Sequence, residues 1–231
     1  MNKEIIVTPL GTVSTYCSED KCCPGFLVEY GDIKIMLDCG NGISKYLNLP
    51  NDFNNLSIII SHLHSDHYGD LLSLSQTSLV YSRLGYINER IKVYIPDGDK
   101  TLIDYNYLVS LEKESFLKFI PYNGNDILNY DDLRVSFSRN PHPITTYSIK
   151  LENEGISLVY SSDTGYKNNT LNSFAKDADL LICESTFLKG QVRKEDYHLY
   201  ASEAGKIART AKVKKLLLTH FWPSINIELY I

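Results

Sequence analysis

Residues 61–70 read Ser-His-Leu-His-Ser-Asp-His-Tyr-Gly-Asp, which places His62, His64, Asp66 and His67, all candidate metal ligands, within six positions. Neutral imidazole and carboxylate are the donors that borderline divalent cations such as zinc prefer. The preceding run, Leu56-Ser57-Ile58-Ile59-Ile60, is apolar and rich in β-branched residues, so it reads as a buried strand. Two-residue spacing in extended chain points side chains to one side, so His62 and His64 can share one cation. Asp66 and His67 lie past the bend, which suits a second cation. A polar loop capping the helix that begins near Tyr68–Leu72 accounts for one or two histidines, but not for four ligand types this closely packed.

The remaining histidines occupy comparable places. His142 stands between Pro141 and Pro143, on backbone that proline stiffens. His220 ends a strand expected over 214–219, and His198 precedes a helix expected over 201–211. Asp163 follows a strand expected over 156–160, where an acid is well placed to be a ligand. A chain using histidine for packing would scatter it inside helices and strands.

Several elements must carry these groups. Ile5–Val7 begins the first strand; Phe26–Tyr30 and Ile33–Leu37 form a hairpin closed at Gly31-Asp32. Asp38, in the glycine-containing corner that follows, either orients a ligand histidine or caps a helix over Ile43–Leu47. A helix over 71–79, a strand over 92–95, a helix over 100–111 and strands over 116–120 and 133–137 come next. A hairpin over 145–151 and 156–160 turns at Asn153-Glu154-Gly155. The last third is α/β in character, with a short helix over 171–176 and a buried strand over 179–183.

Composition bounds the rest. A chain of 231 residues, 43% hydrophobic and 22% charged, suits one large globular domain or two small ones with a sizeable core; a single domain over 1–231 is the expectation. No apolar run reaches the ~20 residues of a membrane span, and the N-terminus passes straight toward a strand without a secretory signal. Cys17, Cys22, Cys23, Cys39 and Cys183 lack a disulfide framework, which points to reduced thiols and a cytoplasmic location. The first three lie in a loop, and no later pair completes a structural zinc site. The net charge of −5 gives no overall reason to bind nucleic acid. Lys206, Arg209, Lys212, Lys214 and Lys215 are the one dense basic cluster, and a solvated face is its default reading.

The set of His62, His64, Asp66, His67, His142, Asp163 and His220 resembles the metallo-β-lactamase superfamily and its binuclear site. The resemblance runs from the first strand, through Leu37-Asp38-Cys39-Gly40 and the His-x-His-x-Asp-His signature, to Leu218-Thr219-His220. It implies an α/β fold, a four-layer αββα sandwich of two mixed sheets with outer helices. It also implies His62, His64 and His142 on one metal, Asp66, His67 and His220 on the other, and Asp163 bridging. Two divalent transition-metal ions, zinc or manganese, are the implied cofactors. The Pro141-His142-Pro143 turn, Ser162-Asp163-Thr164-Gly165 and His198 ahead of Glu203-Ala204 are similar to the ribonuclease Z branch. Histidine at position 64, where flavo-di-iron oxidoreductases carry glutamate, argues against redox chemistry.

Within that branch the expected reaction is phosphodiester hydrolysis by a metal-activated water. Asp66 would hold or accept the nucleophile's proton, and His198, not a ligand, would aid the leaving oxygen. Ester, thioester or lactone hydrolysis is the alternative on the same site, and a non-catalytic metal-dependent binding protein the alternative of another class. About twenty residues separate His142 from Asp163, enough for one hairpin and too few for the arm that grips transfer RNA. The expected partner is therefore a small anionic phosphodiester or short RNA, with transfer RNA left open, no membrane and room for a homodimer. Relatives add a helix and strand after the position of His220, so a shortened C-terminal end is expected here.

Overall fold

The computed structural model describes residues 4–99, 103–167 and 170–230. The chain divides into two compact units, Met1–Tyr122 and Asn123–Ile231. Among the described residues each unit holds one six-stranded mixed sheet.

In the first unit the sheet order is β1 (Ile5–Gly11), β2 (Gly25–Tyr30), β3 (Ile33–Leu37), β4 (Leu56–Ile59), β5 (Ile91–Pro96), β6 (Leu117–Tyr122). The first three strands pair antiparallel, and β3 to β6 run parallel. Strands of a parallel sheet are covered on both faces, so they read as continuous apolar runs. Ile35, Met36, Leu37, Ile58, Ile59, Val93 and Ile95 are all fully buried. Between β4 and β5 lie the short helix α1 (Ser65–Tyr68) and α2 (Leu71–Arg83), and α3 (Ile103–Ser110) precedes β6.

The second unit reverses the recipe. Its sheet order is β12 (Lys215–Thr219), β11 (Leu180–Glu184), β10 (Ser157–Tyr160), β9 (Tyr147–Glu152), β8 (Leu133–Arg139), β7 (Leu128–Tyr130). Here β7 to β10 pair antiparallel, whereas β10, β11 and β12 are parallel. The short α4 (Leu171–Phe174) and the longer α5 (Ala201–Ala211) supply the crossovers. α5 buries Ala204, Ile207, Ala208 and Ala211 with Val159, Leu181 and Cys183, and it turns Lys206 and Arg209 outward. Alanine on that face lets the helix backbone sit close to the strands. The helix ends at Lys212 in the left-handed conformation (φ 57°), a usual stop.

Most expected elements are present. The helix expected over 43–47 is a single 3-10 turn over Ile43–Tyr46, and α2 runs four residues beyond the expected 79. The helix expected over 100–111 is α3; positions 100–102 lie outside the described residues. Strand β7 was not expected, because three residues are too few to show alternation. No helix among the described residues is long and apolar enough to cross a membrane.

Candidate metal centre

In the first unit, β4 delivers His62 and His64, and α1 carries Asp66 and His67. Asp38 follows β3 in the left-handed conformation (φ 59°). Its fully buried carboxylate accepts the Ser61 N–H at 2.7 Å, the Ser61 hydroxyl at 2.8 Å and the His67 Nδ1–H at 2.7 Å. Ser61 Oγ, its proton given to Asp38, takes the Nδ1–H of His62 at 3.1 Å. One carboxylate therefore orients two histidines, one directly and one through a hydroxyl. It does not cap the turn at 43–46; Asp70 serves there, accepting from the N–H groups of Gly42 and Ser44. Asp66 is held by the Ser14 hydroxyl at 2.9 Å.

The second unit repeats the device. Glu184, the last residue of β11, is buried and accepts His198 Nδ1–H on Oε1 at 3.1 Å. Its other oxygen accepts the Thr186 hydroxyl at 2.8 Å, and Thr186 Oγ1 takes the Nδ1–H of His220 at 2.8 Å. Backbone N–H groups of Thr164 and Leu199 also point at Glu184. Burial pushes this carboxyl up, but the His198 charge and hydrogen bond outweigh it, so the group sits below its usual range. His220 lies just past β12 with φ 65°, and Ser162, next to Asp163, has φ 52°. Non-glycine residues held left-handed mark places where the surroundings over-determine the backbone. His142, in the β8–β9 loop, donates Nδ1–H to the Tyr197 carbonyl at 3.1 Å. Asn140 secures the Asp163 loop through the carbonyls of Ser161 (2.7 Å) and Asp163 (2.9 Å).

A common rule governs the histidines in both units. Each of His62, His67, His142 and His220 commits Nδ1 to the protein and turns Nε2 toward another candidate ligand. His62 Nε2 is 3.0 Å from His64 Nδ1, and His67 Nε2 is 3.7 Å from Asp66 Oδ2. His142 Nε2 is 3.8 Å from Asp163 Oδ2, and His220 Nε2 is 3.1 Å from Asp163 Oδ1. Donors sharing a tetrahedral zinc are about 3.3 Å apart. Histidine ligands characteristically donate the other ring N–H to a carboxylate, carbonyl or hydroxyl, which is the pattern seen here. The donor set thus fits divalent transition-metal ions.

His198 departs from the rule. Its ligand atom lies within 4.8 Å of those of Asp163 and His220, so proximity alone would admit it as a ligand. However, the nitrogen facing Asp163 Oδ2 (3.8 Å) is Nδ1, the same one bonded to Glu184. The ring is 27% exposed and stacks on His220 with centroids 5.3 Å apart. A ring so placed presents Nε2 as its second proton-carrying position.

In the first unit the structure gathers His62, His64, Asp66 and His67, and in the second His142, Asp163, His198 and His220. Sequence reasoning missed Glu184, Thr186, Ser61 and Asn140. Glu184 left a readable trace, an acid directly after the apolar run Leu180–Cys183. The hydroxyl and amide residues left none, because their role appears only when the loops meet.

These observations agree with comparisons to known proteins. The chain is 29% identical over 215 residues to the probable metallo-hydrolase YhfI of Bacillus subtilis, covering 93% of this chain and 86% of that one. It is 27% identical over 269 residues to ribonuclease Z of Archaeoglobus fulgidus, again covering 93% and 86%. The crystal structure of Bacillus subtilis YhfI superposes with a TM-score of 0.85 at 25% identity, over 98% of this chain and 90% of that one. Human short-form tRNase Z shares the fold at a TM-score of 0.77 and 23% identity, over 94% and 93%. The two mixed sheets with their helices are those of the α/β metallo-β-lactamase fold. A model of the beta-lactamase superfamily domain matches residues 34–221, from β3 through the oriented histidines to His220, and the chain belongs to that superfamily.

Proposed function

We propose that this metal-dependent hydrolase is a binuclear phosphodiesterase related in chemistry to ribonuclease Z. In this reading residues 1–231 act as one metallo-β-lactamase domain. His62, His64 and His142 would hold one cation and Asp66, His67 and His220 the other, with Asp163 serving both. The observation that carries it is the ring orientation: Nδ1 anchored, Nε2 turned toward a second donor, in histidines of both units. When bound, two divalent cations, zinc or manganese, lower the pKa of water to about 7 and neutralise charge gathering on phosphoryl oxygens.

The chain's own groups do the rest. Asp66, held by the Ser14 hydroxyl, would take a proton from the attacking water. Glu184 fixes the His198 ring so that Nε2 can give a proton to the leaving oxygen, which spares an alkoxide from departing unprotonated. Seven ligands carrying two carboxylates leave two divalent cations with positive charge, which draws an anionic diester to a protein of net charge −5. The relationship to ribonuclease Z of Archaeoglobus fulgidus favours phosphorus over carbonyl substrates.

The test is a substrate comparison on metal-replete protein: bis(p-nitrophenyl) phosphate and cyclic nucleotides against p-nitrophenyl acetate, a thioester and a lactone. Turnover of the phosphodiesters is expected. Turnover of carbonyl substrates alone would replace this reading with the ester hydrolase.

A further inference from the structure

The three cysteines of the β1–β2 loop are not used by the chemistry above, yet the fold collects them. Cys17 Sγ lies 3.9 Å from Cys23 Sγ and donates to the Asn41 carbonyl at 2.8 Å. Cys22 Sγ sits 3.3 Å from the Gly42 carbonyl. Gly42 is left-handed (φ 87°), and a Cβ there would lie 2.9 Å from Cys22 Sγ and 3.2 Å from Cys17 Sγ. The glycine makes room for two sulfurs. The environments of the pair differ: Cys17 is exposed and Cys23 is fully buried. Burial, then Cys17 and Asp66, push the Cys23 thiol up, so Cys17, the exposed partner, is the one that meets an outside oxidant first.

The pair is wired to the ligand segment. Ser14, three residues before Cys17, donates to Asp66. Asn41, which also accepts the Cys23 N–H at 3.0 Å, reaches the Ser65 carbonyl through its side chain at 3.5 Å. Cys23 has little room to shift. Its carbonyl packs so closely on Gly11 that a Cβ there would approach it to 1.9 Å.

We infer that Cys17 and Cys23 form a peroxide-responsive thiol pair whose disulfide loosens the hold of Ser14 on Asp66. Cys17 gives up its thiol proton and its sulfur attacks a hydroperoxide, breaking the O–O bond; the sulfur gains the oxygen as sulfenic acid and the departing alkoxide or hydroxide takes that proton. The Cys23 sulfur then attacks that sulfenic sulfur, the S–O bond breaks, and the Cys23 proton leaves with the hydroxide as water. Two thiols are oxidised and one peroxide is reduced. Closing the bond shortens the separation from 3.9 Å to about 2.05 Å. With Cys23 fixed, Cys17 moves, and the Cys17–Asn41 contact and the Ser14–Thr15–Tyr16 stretch absorb the shift.

The consequence for turnover rests on the metallo-hydrolase reading; formation of the bond does not. The experiment treats the full chain with hydrogen peroxide and follows intact mass, a non-reducing peptide map and metal retention. A loss of two hydrogens, a Cys17–Cys23 linked peptide and reversal by dithiothreitol are expected. Cys17→Ser should form no linkage, and Cys23→Ser should stop at a Cys17 sulfenic acid that dimedone captures. Oxidised wild type should hold metal several-fold more weakly than reduced protein, with Cys17→Ser unaffected by peroxide. A linkage through Cys22, or Cys17 passing to sulfinic acid with Cys23 still a thiol, would overturn the pairing. A correct linkage with unchanged metal retention would overturn the coupling to Asp66. Reduced wild type that binds no metal would instead refute the metal reading, and the peptide map would still decide the thiol pair.

Discussion

Asp38 and Glu184 are the same device built twice: a buried carboxylate at the end of a strand that takes the Nδ1–H of one histidine directly and of a second through a hydroxyl. Asp38 holds His67 directly and His62 through Ser61; Glu184 holds His198 directly and His220 through Thr186. The arrangement fixes ring tautomers and leaves Nε2 as the working nitrogen. It also divides the labour. Both histidines served by Asp38 are proposed ligands, whereas Glu184 serves one proposed ligand and one proposed acid.

Asp38→Ala should therefore weaken metal binding by about 10–100-fold, the usual cost of losing a partner behind a ligating histidine. The measurement is a competition titration against a chelator of known affinity, with circular dichroism to confirm folding. A folded variant that binds metal as tightly as wild type would show that the Asp38–His67 bond has no such role.

His198 should behave differently from the proposed ligands. His198→Ala is expected to keep its metal while losing about 10²–10⁴ in kcat, the contribution of a positioned general acid. With a p-nitrophenolate leaving group, which needs little protonation, the loss should be smaller than with an alkyl diester. Metal loss in this variant would make His198 a ligand after all. Equal losses on both substrates would remove it from leaving-group chemistry.

The sequence made the candidate ligand positions legible for a physical reason. Ligands must sit on rigid backbone, so they follow buried strands or stand between prolines, and both features are written locally: β4 before His62, β12 before His220, prolines on either side of His142. The strands were readable because parallel strands buried on both faces are continuous apolar runs. What lay hidden depends on contacts between distant segments. Glu184 is fourteen residues from His198 and Thr186 thirty-four from His220, separations that no local pattern encodes. The brief 3-10 turn at 43–46 was overestimated as a helix because its short apolar-polar pattern carries no length signal.

The basic cluster makes a prediction about substrate size. Lys206, Arg209, Lys212, Lys214 and Lys215 are all exposed, but Lys214 is engaged by Asp179 at 2.6 Å. Productive grip on transfer RNA needs several phosphate contacts away from the reacting diester, each steepening the salt dependence. Changing all five residues to Gln should leave turnover of bis(p-nitrophenyl) phosphate within about twofold, since exposed surface charges are screened by salt and contribute little. Wild type should process precursor transfer RNA poorly at physiological salt. Efficient trimming of the precursor, abolished by the five changes, would refute the small-substrate account and assign the cluster to RNA.

The most direct test of the central claim is the metal content of metal-replete protein, by elemental analysis, for wild type and Asp163→Asn. A shared Asp163 predicts two equivalents of transition metal per wild-type chain, roughly 3.5 Å apart by anomalous scattering, and at most one in the variant. One equivalent or fewer in wild type, unchanged by Asp163→Asn, would contradict the binuclear account.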